Sequence, residues 1–145
     1  MPNSAITDAE SRNVQQVRAF LSAMEARDLA SAECYLAASV LLQFPGAPPM
    51  QRLSDVVEWA KTRYHRVSKT VYAFDLCCPP HPGASTPHCV VVCHGELAVE
   101  WLNGSTSTGV RFIDRFELTD GLITRQDVWN DLALAASPSS HPYFV

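Results

Sequence analysis

Positive charge is scarce in this 145-residue chain: 11 Lys and Arg stand against 15 Asp and Glu, for a formal charge of −4. No Lys/Arg run offsets the balance, so the electrostatic footprint of a nucleic-acid binder is missing. Long apolar runs are missing too. The longest fall far short of the roughly 20 residues that a helix needs to cross a bilayer, so no membrane contact is expected. The opening "MPNSAITDAES" has neither the basic region nor the apolar stretch of a secretory leader, and the expected location is the cytoplasm. The five cysteines, Cys34, Cys77, Cys78, Cys89 and Cys93, contain no Cys-x-x-Cys pair. An odd count without a leader reads as reduced thiols. "CCPPHPGASTPHC" gathers Cys77, Cys78, His81, His88 and Cys89 around one loop, but the spacing fits no usual zinc pattern. No metal and no organic cofactor are expected.

What is present suits a single domain with one core: 47% of residues are apolar and 18% charged, the balance of a chain that folds. That domain is expected to span residues 7–134, with flexible ends at 1–6 and 135–145. "TDAE" (Thr7 to Glu10) is a capping box opening a first helix from about Asp8 to Ala26, on which Val14, Val17, Leu21 and Met24 share a face. Asp28 can cap a short second helix, Leu29 to about Leu36. Val40 to Phe44 reads as a strand and Pro45 to Pro49 as a loop. Ser54 can cap a third helix with Val56, Ala60, Tyr64 and Val67 on one face. From Lys69 the period drops to two. Lys69 to Cys78, His88 to Leu102, Gly109 to Leu118 and Leu122 to Leu132 read as strands, with hairpin turns at "NGS" and "TDG". Helices followed by a meandering sheet predict an α+β fold. The sheet is expected to be a strongly curved antiparallel one, forming a cone-like barrel whose concave face is covered by the three helices of the N-terminal half.

One strand holds an anomaly. In "GVRFIDRFELTDG" (Gly109 to Gly121), Asp114 falls on the apolar face with Val110, Phe112, Phe116 and Leu118. A carboxyl between two phenylalanines loses hydration, which favours its neutral form and equips it to donate to an oxyanion or to act as a general acid. A structural aspartate bonded to a phenol, an indole or the backbone, or one ionised against a buried arginine, is the competing reading.

"FLSAMEARDLASAECYL", "LLQFPG" and "FIDRFELTDGLITRQDVWND" together resemble the nuclear transport factor 2-like superfamily, over about Thr7 to Leu134. That superfamily includes ketosteroid isomerase, polyketide cyclases, limonene epoxide hydrolase and scytalone dehydratase, and non-catalytic members. "FIDRF" is similar to the isomerase's "IDHF", so the resemblance implies for Asp114 the place of a protonated oxyanion-hole aspartate. The isomerase's tyrosine and general base correspond to Phe20 and Phe44, so steroid isomerisation by that mechanism is not expected. The hydrolase's acidic residue on the last strand corresponds to Val128. The resemblance turns Gln126, Val128 and Asn130 into the pocket. The opposite register would turn Trp129 inward. Gln43, Trp59, Tyr64, Phe112 and Phe116 complete the candidate ligand-contacting set, and Tyr64 or Tyr35 could bond Asp114. His94 and Glu96 fall on the convex side, which in this superfamily is often a subunit interface, so a homodimer is expected. The function implied is a small-molecule-binding protein, either a cofactor-independent isomerase, cyclase or dehydratase acting on a small hydrophobic carbonyl compound, or a non-catalytic binding or scaffold module.

Overall fold

The structure, a computed structural model, describes residues 8–77 and 88–136. The capping box starting at Thr7 and the loop containing Cys78 and His81 lie outside the described residues. Helix α1 spans Asp8–Glu25 and α2 spans Leu29–Glu33. Val17 and Phe20 of α1 are buried, with Val14, Leu21 and Met24 packed beside them, as the helical spacing requires. A Schellman turn ends α1. The Asp28 amide donates to the Ala23 carbonyl at 2.9 Å, and the Arg27 amide donates to that of Met24 at 3.1 Å. Arg27 takes the left-handed conformation there (φ 58°), a place usually given to glycine. Asp28 caps α2 by accepting from the Ser31 amide at 3.2 Å.

Strand β1 is Leu36–Gln43, and α3 is Leu53–Lys61. The second helix stops short of Leu36 because Leu36 already pairs with Ile123 in the sheet. Ser54 is not a cap. Arg52 occupies that position and makes no side-chain bond there. The third helix also stops earlier than the Val56/Ala60/Tyr64/Val67 spacing suggests, because the chain from Tyr64 is extended. Strands β2 (Tyr64–Cys77), β3 (His88–Trp101), β4 (Thr106–Thr119) and β5 (Leu122–Asn130) follow as antiparallel neighbours, and a short α4 (Leu132–Ala135) replaces the expected end of the last strand. Asp120 and Gly121, both at positive φ, form the two-residue turn that Asp-Gly encodes.

The sheet order is β1-β5-β4-β3-β2, with β1 parallel to β5. The sheet is therefore curled but open, and not wholly antiparallel. Its inner face, including Val91, Cys93, Leu97, Phe112, Asp114, Phe116 and Val128, is buried. Cys89 is disulfide-bonded, which corrects the expectation of five reduced thiols; an odd count excludes complete pairing but not a single bridge. Cys34, Cys77 and Cys93 are free.

One irregularity shapes β2. Val71 pairs with Gly95 and Ala73 with His94, so Tyr72 is a bulged extra residue. The bulge turns Tyr72 outward, 59% exposed, instead of onto the face of Phe74 and Leu76. A glycine on β3 permits it, because a Cβ at Gly95 would overlap the Thr70 carbonyl oxygen. Gly95→Ala should therefore cost roughly 1–3 kcal/mol of stability, read from the denaturant midpoint, because backbone and not a flexible side chain must yield. An unchanged midpoint would mean that β2 adapts freely.

Candidate functional site

A cavity of about 230 Å³ lies between α1, α3 and the inner face of β2. Its wall is mainly apolar, from Phe20, Leu21 and Met24 on α1, Val56 on α3, and Val67 and Val71 on β2. Three polar side chains interrupt it: Tyr64 and Lys69 of β2, and Gln126 of β5. Arg18, Ser22, Glu25 and Arg27, all exposed, stand around the mouth.

Lys69 is the centre of this arrangement. It alternates with Val67 and Val71, so it shares their inward face. Its stem passes over β3, and the ammonium donates to Oδ2 of Asp114 on β4, which is fully buried. The same ammonium lies 4.8 Å from the centroid of the Phe112 ring, a cation–π contact. Lys69 is 23% exposed, so the pair joins a wholly desolvated carboxyl to a cation at the cavity wall. Oδ1 of Asp114 has no hydrogen-bond partner among the described residues. Asp114 itself sits behind Lys69 and is not part of the wall. Of the groups that could bond Asp114, neither Tyr35 nor Tyr64 does so among the described residues; the Lys69 ammonium reaches it.

Neighbouring groups respond to this environment. Cys93 pairs with Asp114 across the strands, and burial, reinforced by the adjacent carboxylate, pushes its thiol up to about 12. Burial also raises the Tyr64 phenol, against the pull of Arg27, Lys69 and Arg63. Gln126 is 3% exposed and lines the cavity.

The other candidates separate into groups. Phe20, Phe44 and Tyr64 line the cavity with Gln126. Phe112, Phe116 and Val128 are buried behind it, and Phe116 meets Phe20 edge-on at 6.1 Å. The Gln43 amide donates to the Ala47 carbonyl at 2.8 Å, so it braces the loop after β1 and is not among the cavity-lining residues. Trp59 and Asn130 line a second cavity of about 190 Å³, which shares Tyr64 with the first. Trp129 is outward and 56% exposed, which settles the register of β5. His94 is on the outer face, edge-on to Tyr72.

Solved structures share this architecture. A candidate polyketide cyclase from Xanthomonas campestris pv. campestris superposes with a TM-score of 0.69 at 16% identity, covering 90% of this chain and 98% of that one. An NTF2-like protein of unknown function from Burkholderia pseudomallei gives 0.66 at 19% identity, covering 86% and 94%. TerC, co-crystallised with polyporic acid, gives 0.68 at 16%, covering 86% and 95%. The chain has the nuclear transport factor 2-like fold. No family model and no curated protein matches its sequence.

Within this NTF2-like cone, Lys69, Arg18, Glu25 and Arg27 are the charged groups missing from the candidate set drawn from sequence. The signal for Lys69 was available: a lone charge alternating with valines, the pattern that singled out Asp114. Extending the third helix to Val67 concealed it.

Lys69→Met strands a buried carboxylate and should cost up to about 3 kcal/mol, less than a fully buried pair because the lysine is partly solvated. Adding Asp114→Leu should recover much of that loss in a double-mutant cycle, whereas additive losses would contradict the pairing. Iodoacetamide at pH 8 should label Cys34 and Cys77 and spare Cys93, whose thiol stays protonated until about pH 12.

Proposed function

We propose that the protein binds a small, mostly hydrophobic carbonyl compound in the first cavity and acts on it as a cofactor-independent isomerase, cyclase or dehydratase. The observation that carries this reading is the Lys69 ammonium, set in an apolar wall and fixed from behind by Asp114. A carbonyl oxygen beside that ammonium gains stabilisation as negative charge develops on it, and the site need not reorganise because Asp114 already holds the donor. Asp114 is then a positioning residue, and Lys69 meets the substrate. Tyr64, whose phenol burial pushes above its ordinary value, is a hydroxyl donor on the same wall, and Gln126 can orient a second polar atom. The fold shared with a candidate polyketide cyclase is compatible with this class.

A specific observation favours the alternative of a non-catalytic binding module: the wall carries Phe44 where the resemblance implies a general base. Deuterium exchange next to the carbonyl, followed by NMR over a panel of hydrophobic ketones in D₂O, distinguishes the two. Catalysis requires exchange above buffer for at least one ketone, about 10²-fold slower in Lys69→Met, the scale of losing one oxyanion donor. No exchange with any ketone would leave the binding reading.

The proposal includes a homodimer through the outer sheet face. Tyr72, Ile113 and Trp129 are exposed there, and the register sets His94 beside Ile113 and Ile113 beside Trp129. Such a contiguous apolar stripe suits a partner surface. Sedimentation at micromolar concentration should give a dimer, and Trp129→Glu a monomer. A monomeric wild type would refute it.

A further inference from the structure

We infer that the ligand of the first cavity is an amphipathic anion, with its apolar body inside and a carboxylate at the mouth, drawn by the positive charges of Arg18 and Arg27 that flank it; this rests on the cavity being a ligand site. The charged groups that face the cavity or stand behind its wall are Arg18, Arg27 and Lys69 against Glu25 and Asp114. The excess is positive although the whole chain carries −4, so the cation density is local to the cavity. Both carboxylates are already engaged. Asp114 takes the Lys69 ammonium, and Oε1 of Glu25 accepts the Lys69 backbone amide at 2.9 Å.

Neither mouth guanidinium has a carboxylate partner among the described residues. Arg18 stacks on the Phe74 ring at 4.5 Å, which positions its charge without neutralising it. Arg27 occupies a left-handed turn where glycine would be less strained. Independently of these charges, Gln126 lines the cavity from a 97%-enclosed position, so an inner carbonyl or hydroxyl of a ligand meets a polar side chain there. A ligand with an inner carbonyl or hydroxyl, an apolar middle and an outer carboxylate satisfies all three demands.

Calorimetric titration with 2-naphthoate and with its neutral isostere 2-naphthamide tests the charge preference. The wild type should bind naphthoate about tenfold tighter, the scale of two modest charge contacts, and the preference should shrink as salt is raised. Arg18→Gln combined with Arg27→Gly should erase the preference, lowering naphthoate affinity by more than naphthamide affinity. Arg27→Gly alone should hold or raise the thermal midpoint, which separates a ligand role from a folding role. Equal or tighter binding of naphthamide by the wild type would overturn the inference and leave the cavity as a ligand site. Binding of neither probe would remove both.

Discussion

A carboxyl taken wholly out of water under a curled sheet has to be answered, and here the answer comes from two strands away. Asp114 is compatible with the core because Lys69 leans over β3 and lays its ammonium on Oδ2. An unpaired charge in that position would cost several kcal/mol, so the pair constrains where β2 lies against β4. The bulge at Tyr72, the glycine at 95 and the inward parity of Val67, Lys69 and Val71 all belong to that constraint. The pair is asymmetric. One member is buried completely and the other borders a void, so its charge is fixed in position yet available to a guest.

Much of the fold could be read from the residues. The alternation in β4, the Asp-Gly turn and the apolar spacing of α1 are local signals that tertiary contacts did not override. The errors came where two periods agree by accident. Ala60, Tyr64 and Val67 satisfy helical spacing, yet Tyr64 and Val67 lie on a strand that pairs with β3. Misplacing that boundary hid Lys69, and with it the partner of Asp114. Side-chain reach also lies beyond pattern reading. Gln43 was a fair pocket candidate by position, but a nearby loop carbonyl holds its amide. Trp59 and Asn130 face a neighbouring void that has Tyr64 in common with the first.

The fold is established by its structural neighbours, whereas chemistry depends on the few polar atoms a cone of this kind encloses. In this chain those atoms are a lysine braced by an acid, an enclosed amide and a buried phenol. None requires a bound metal to be polar, and all sit on strands, whose backbones hold them in place more firmly than loops would.

The hydrogen bond from the Lys69 amide to the Glu25 carboxylate has a structural meaning of its own. β2 is an outermost strand with fourteen residues, and such a strand offers outward amides to any extended peptide that drifts alongside. A helix carboxylate seated on one of those amides, next to the kink at Tyr72, interrupts the ladder on which a foreign strand would have to grow. The carboxylate at the mouth of the cavity therefore also occupies one amide of the sheet's open border.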